Sequence, residues 1–79
     1  ADLTQLDPTQ RIRYDTAGNI VFNFGKYIGR NVGEICYQDR NYYHWIQDKE
    51  FSIQLKNMCK KLLAEYELKM KVKDGKSQS

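Results

Sequence analysis

The chain has 79 residues, of which 41% are hydrophobic, and a formal net charge of +3. A chain this short buries only about 60–65% of its unfolded surface, so it forms one small domain without a deep two-lobed cleft. Its apolar content argues against wholesale disorder. No apolar run approaches the roughly 18 residues of a membrane-spanning helix. The mild positive charge permits an acidic partner without requiring one.

The charge is unevenly distributed along the chain. Up to Asp48 there are five basic and six acidic residues, a net charge of −1. From Lys49 onward there are eight lysines and four acids, a net charge of +4, so the two parts sum to +3. A lysine-rich C-terminal third therefore follows a nearly neutral body. Such a run is usually a solvated face, but it can also track phosphates.

The first ten residues have no apolar period and contain the only proline, Pro8. This composition predicts a flexible lead-in or linker over residues 1–10. The chain begins with Ala1 rather than Met, which is typical of a processed terminus or an excised fragment.

The next segments predict short strands. Residues 11–14 alternate polar and apolar, residues 15–19 carry turn chemistry, and residues 20–24 place three apolar side chains on one face. Residues 26–28 lie between two glycines and predict a short third strand after a tight bend.

Three helix starts follow, each opened by a side chain that can cap free amides. Asn31, Asp39 and Ser52 are the predicted caps. From residue 72 onward Gly, Ser, Gln and Lys predominate, which predicts a disordered tail over residues 72–79.

The prediction is therefore an α+β domain over residues 11–71, in which a small antiparallel β-hairpin packs against about three helices, the last one longest. The predicted core is aromatic and aliphatic: Phe22, Phe24, Tyr27, Ile35, Trp45, Ile46, Phe51, Leu55, Met58 and Leu62.

The sequence offers few residues for catalysis or for metal binding. His44 is the only histidine, and Cys36 and Cys59 lie within apolar patterns. These three residues include no pair at metal-ligand spacing, so we expect buried thiols and an ordinary histidine rather than a metal or cofactor site. A cysteine–histidine pair that meets only in space stays open as a third, enzymatic reading, which a deep pocket around His44 would favour.

Two features could serve nucleic-acid binding. Residues 24–30 place Lys26 and Arg30 among glycines, either as a phosphate-contacting loop or as a hairpin whose cations face water. Lys56 and Lys60 begin a lysine stripe on the last helix. Exposed tyrosines could stack on bases, although aromatics at helical spacing are more often core; the candidates are Tyr37, Tyr42 and Tyr43.

Three segments in order resemble a known family. Residues 21–32 (VFNFGKYIGRNV) look like an F-G-K-[YH]-K-G signature, and residues 42–46 (YYHWI) look like a Y-Y-x-W-M segment. Residues 50–56 then resemble a D-F-P-x-x-T-K segment. Together these motifs resemble the C-terminal accessory domain of exodeoxyribonuclease X-like and DNA polymerase III epsilon-type 3′–5′ exonucleases. Ile28 stands where many relatives carry a second lysine, and Leu55 replaces a threonine.

The resemblance implies a non-catalytic module of a bacterial, cytoplasmic DNA exonuclease, active in replication and repair. The catalytic acids and divalent metal ions of that family belong to the nuclease domain and have no counterparts in this sequence. We expect DNA contacts from Lys26, Tyr27, Arg30, Lys56 and Lys60. The alternative is a protein-interaction module that docks on its nuclease domain or a replication subunit. A monomer without membrane contact is expected in either case.

Overall fold

A computed structural model describes residues 7–78, and the side chains of residues 7–72. It contains two strands and three α-helices, and thereby confirms the predicted α+β class with the last helix longest. The elements are β1 (Ile12–Tyr14), β2 (Ile20–Phe22), a 3₁₀ turn (Gly25–Tyr27), α1 (Val32–Gln38), α2 (Arg40–Asp48) and α3 (Ile53–Gln78).

The two strands form an antiparallel hairpin. Its turn is held by Asp15, whose Oδ1 accepts hydrogen bonds from Ala17 N (2.9 Å) and Asn19 N (2.8 Å). This is the local side-chain bonding that makes aspartate a turn residue. The register pairs Ile12 with Phe22, Arg13 with Val21 and Tyr14 with Ile20.

The predicted third strand over residues 26–28 is wrong. Gly25 and Gly29 adopt positive φ (73° and 82°), which compresses the segment between them into a 3₁₀ turn. The chain does return beside β2, but only beyond that turn: Phe22 N donates to Arg30 O at 2.9 Å, and Val21 forms an isolated bridge with Asn31.

All three predicted helix caps are confirmed. Asn31 Oδ1 accepts from Glu34 N (3.1 Å), Asp39 Oδ1 from Tyr42 N (3.0 Å), and Ser52 Oγ from Leu55 N (3.1 Å). Each bond satisfies an amide at a helix start that would otherwise lack a partner. The caps therefore determine where the connections between helices bend.

The core lies between the hairpin and the inner faces of the helices, and its composition differs in part from the prediction. Trp45 was predicted to be buried but is 41% exposed. On α3 Leu63 is buried together with Leu55 and Cys59, whereas the predicted core residue Leu62 only packs against the core. The predicted members Phe24, Tyr27, Phe51 and Met58 are likewise only partly buried. The buried hydrophobic cluster is Ile12, Phe22, Val32, Ile35, Cys36, Ile46, Leu55, Cys59 and Leu63.

α1 and α3 approach each other closely at Gly33. A Cβ atom at this buried position would lie 2.8 Å from the carbonyl oxygen of Leu62. A glycine is therefore needed there for the two helices to pack at this distance.

The predicted lead-in is described only from Asp7 to Gln10, since residues 1–6 lie outside the described residues. Asp7 is fully buried, and its carboxylate accepts bonds from Ser52 Oγ (2.6 Å), Thr9 Oγ1 (2.6 Å), Thr9 N and Arg11 N. This carboxylate joins the start of the chain to the start of α3. The domain bounds 1–10, 11–71 and 72–79 stay predictions. No helix in the described part of the chain is long and apolar enough to cross a membrane.

Candidate nucleic-acid interface

Six aromatic rings from five parts of the fold pack against one another, and we call them the ring cluster. Its contacts include Phe22 with Tyr42 (centroids 5.5 Å apart, perpendicular) and Tyr42 with Trp45 (5.4 Å, stacked). Edge-to-face and offset contacts of this kind are the preferred aromatic geometries. The members are Phe22, Phe24, Tyr27, Tyr42, Trp45 and Phe51.

The polar edge of the cluster is held by Asp39. Its Oδ2 accepts a 2.6 Å hydrogen bond from the Tyr27 hydroxyl, while its Oδ1 caps α2 at Tyr42 N. The Tyr27 bond, followed by the bond from Tyr42 N, lowers the pKa of Asp39 below its usual 3.8. The same bond raises the pKa of Tyr27 above its usual 10.0. At neutral pH a neutral phenol therefore donates to a carboxylate, and both side chains are fixed.

Two cations rest on the rings. The ammonium of Lys26 lies 5.1 Å from the Tyr27 centroid and 5.8 Å from that of Tyr42. These distances fall within the range of cation–π attraction. Lys26 is exposed, and an attraction of about 0.5–1 kcal/mol favours this placement of its side chain against α2.

Arg11 occupies the other end of the ring cluster. Its guanidinium carbon lies 5.3 Å from the Phe24 centroid and 4.9 Å from that of Phe51. The Arg11 Nε is buried and has no hydrogen-bond partner within the described part of the protein. Sequence patterns did not single out this residue, because its ring partners lie far away in the chain.

A groove runs across the outer face of α2, beside the ring cluster, and Trp45 divides it; we call it the Trp45 groove. One half has a volume of about 480 Å³ and is lined by Lys26, Asp39, Asn41, Tyr42 and Trp45. The other half, also of about 480 Å³, is lined by Asn41, His44, Trp45, Gln47 and Asp48. An exposed indole thus stands between two open depressions, with one fixed cation at the edge.

The predicted DNA-contacting residues lie in three parts of the fold. Lys26 and Tyr27 belong to the groove and its ring cluster, and Arg30 is exposed in the loop before α1. The Arg30 amide donates a 2.9 Å hydrogen bond to the Tyr27 carbonyl, so these two parts adjoin. Lys56 and Lys60 are four residues apart and share a face of α3.

Lys26 and Lys56 mark opposite ends of α2. Lys26 rests on Tyr42 in the first turn, whereas the Lys56 carbonyl accepts a 2.9 Å bond from Gln47 Nε2 near the last turn. At 1.5 Å per residue these positions are about 7 Å apart along the axis of α2.

Trp45 is the main feature that sequence patterns misplaced. Trp45 and Ile46 were both predicted to belong to the core, whereas Tyr42 was a candidate for an exposed stacking ring. In the structure only Ile46 is buried, Tyr42 is half-buried and Trp45 is the most exposed. Tyr27, predicted as a stacking surface, has its hydroxyl bonded to Asp39 and its ring covered in part by Tyr42 and Lys26. Trp45 therefore offers the more accessible ring.

The three residues considered for catalysis differ in burial. Cys36 and Cys59 are free, fully buried thiols of the core, whereas His44 is exposed on α2 against the Tyr43 ring. The hydrogen bond with Cys36, together with burial, raises the pKa of the Cys59 thiol. Across residues 7–72, no three His, Cys, Asp or Glu side chains are grouped so that they could hold a metal ion.

Fold and groove together define a small α+β module with an aromatic, cation-edged surface. The model of the family described as exodeoxyribonuclease X-like C-terminal matches residues 22–50. The match confirms the resemblance predicted from the sequence motifs, and the matched segment contains every residue that lines the Trp45 groove. No curated protein and no solved structure gives a significant match to the chain.

Proposed function

We propose that this chain is a non-catalytic accessory module of a DNA 3′–5′ exonuclease of the proofreading, DNA polymerase III epsilon-like kind. Its role is to help hold DNA, while catalysis and the divalent metal ions belong to a nuclease domain elsewhere in the parent protein. The family match supports the link with an exonuclease-like protein. A bacterial cytoplasm and a monomeric module are part of this proposal.

The observation that carries the DNA contact is the pairing of Lys26 with Trp45 along one groove. A cation attracts phosphate and releases condensed counterions, and an exposed aromatic ring stacks on bases. Neither feature depends on the disposition of the C-terminal lysines. Arg30, Lys56 and Lys60 then add phosphate contacts from the flanking surfaces.

The test is a ¹⁵N NMR titration of the chain with short DNA at about 50 mM and about 200 mM salt. We expect shifts at Lys26, Asn41 and Trp45 that weaken at the higher salt. The DNA contact is rejected if the spectrum is unchanged at low salt and millimolar DNA.

A second candidate function is docking on the nuclease domain or on a replication subunit. The exposure of Trp45 (41%) supports it, since tryptophan is enriched among the residues that dominate protein interfaces. The same residues would shift on addition of the partner protein, but with little dependence on salt. Salt dependence therefore separates the two functions.

A further inference from the structure

We infer that the Trp45 groove is a binding site for an unpaired nucleotide, so that the module recognises single-stranded rather than duplex DNA. The base stacks on the Trp45 indole and its phosphate contacts Lys26. This inference rests on the proposed DNA contact and specifies the form of DNA that is bound.

The indole is placed as a stacking platform rather than as a core residue. The Trp45 ring system packs against Tyr42 (5.4 Å, stacked) and makes an edge contact with Phe51 (5.3 Å). The remaining exposed part borders open depressions on both sides. A ring that already packs against its neighbours loses little conformational freedom when a base stacks on it.

The charges around the groove disfavour a duplex. Lys26 is the only cation that lines it, whereas two carboxylates, Asp39 and Asp48, also line it. The oxygens of Asp39 accept bonds from Tyr27 and Tyr42, and Lys26 makes no salt bridge within the described residues, although its charge is close enough to favour the ionised form of Asp39. A duplex backbone needs a succession of cations, because it carries a charge every 1.7 Å or so along its axis.

An unpaired base fits this arrangement better. Base faces inside a duplex are covered by their neighbours, so only an unstacked base can lie on the indole. Asn41 stands one turn before Trp45 and lines both depressions, and its carboxamide has both donors and an acceptor for a base edge. Stacking of this kind tolerates any base, so we expect weak dependence on sequence.

The experiment uses the fluorescence of Trp45, the only tryptophan of the chain. The probes are a short oligothymidylate and a duplex of the same length, each also labelled for anisotropy. We expect saturable quenching of Trp45 by the single strand, and binding of the duplex weaker by about tenfold or more, which corresponds to the loss of one stacked base.

Two variants form a matched pair. Trp45→Leu removes the indole, and Tyr14→Leu removes an aromatic ring of similar exposure (39%) on β1, outside the groove. Trp45→Leu should weaken single-strand binding by about 5- to 150-fold, the range for one stacked base, while Tyr14→Leu leaves it unchanged. Lys26→Gln should reduce the slope of log affinity against log salt by about 0.7, the value for one phosphate contact.

A ring-current shift of the thymine protons in the wild-type complex gives a readout that does not depend on folding of the Trp45 variant. The inference is overturned if single strand and duplex bind equally well, or if Trp45→Leu behaves like Tyr14→Leu. In that case DNA binding itself stands. If neither DNA form binds at millimolar concentration, the proposed function fails together with the inference.

Discussion

The chain carries cations in two regions that differ in how firmly they are held. Near the ring cluster, Lys26 is fixed against two tyrosine rings in a groove whose walls are set by helix caps and aromatic contacts. On α3 the lysines are more numerous, but Lys60, Lys61, Lys69 and Lys71 are exposed on the outside of a helix. We therefore expect the single cation beside the rings to contribute more to a specific DNA contact than any one of the exposed lysines on α3.

The part of α3 that follows Leu63, which we call outer α3, has few contacts with the rest of the domain among the described side chains. Arg40 pairs with Glu67, and Tyr37 packs on Tyr66 with centroids 5.2 Å apart. Beyond these, Leu68 and Val72 are 63% and 60% exposed. Packing therefore weakens along α3, whereas the ring cluster is continuous from β2 to Phe51.

The largest effect should come from Phe22→Ala, because this fully buried ring contacts three others of the cluster. We expect a loss of about 3–5 kcal/mol in the free energy of unfolding, a large share of the stability of so small a domain. Leu68→Ala on outer α3 is the control and should change it by about 0.5 kcal/mol or less. Urea denaturation measures both. Equal losses would remove the contrast between the two regions.

The next largest effect on stability should come from the close contact between α1 and α3 at Gly33. Gly33→Ala puts a Cβ atom 2.8 Å from the backbone oxygen of Leu62, which cannot rotate away. We expect destabilisation by about 1–3 kcal/mol, as for other overpacked sites. Thermal unfolding followed by circular dichroism shows whether the variant is less or more stable than the wild type. An increase in stability, as an unhindered helical glycine would show, would contradict the close approach.

A smaller effect should appear as a pH dependence that traces to Asp7. Burial opposes its ionisation most strongly, but bonds from Ser52, Thr9 and Arg11 together outweigh burial and lower the pKa of Asp7 below 3.8. Because the folded-state pKa is the lower one, the stabilisation is present above pH 3.8 and is lost as the pH falls through the folded value.

The measurement is the denaturation midpoint between about pH 7 and pH 2 for the wild type and Asp7→Asn. The wild type should lose stability below pH 3.8, and the variant should lose less. Ser52→Ala removes the helix cap and one donor to Asp7, and should cost about 1 kcal/mol at neutral pH. A variant with the same acid profile as the wild type would show that Asp7 is not the titrating group.

The smallest effect is expected when Lys26, beside the ring cluster, is compared with Lys60, an exposed lysine on α3. Lys26→Gln should weaken binding of single-stranded DNA by about twofold to fivefold, as for one exposed charge pair, and by more than Lys60→Gln. Anisotropy at low salt measures both. A larger loss for Lys60→Gln would move the DNA contact to α3.

Local chemistry explains which parts of the fold could be predicted. The Asp15 turn and the caps at Asn31, Asp39 and Ser52 depend on side chains within four residues of their partners, so the sequence displays them directly. The third strand was predicted wrongly, because a glycine allows either sign of φ. Only the packed structure selects the positive φ values that make a 3₁₀ turn.

Non-local contacts account for the rest. Asp7 meets Ser52 across 45 residues, which no local pattern can indicate. The sequence pattern placed Trp45 and Ile46 together in the core but could not show that only Ile46 is fully buried. For the same reason the groove could be predicted only in part: Lys26 was recognised, whereas Trp45 was assigned to the core.

Titration of Trp45 fluorescence with a short oligothymidylate is the direct test of the proposal that the Trp45 groove contacts DNA. At about 50 mM salt we expect saturable quenching, weaker at about 200 mM, as phosphate contact requires. An emission spectrum that stays unchanged up to millimolar DNA would contradict the claim and favour docking on a protein partner.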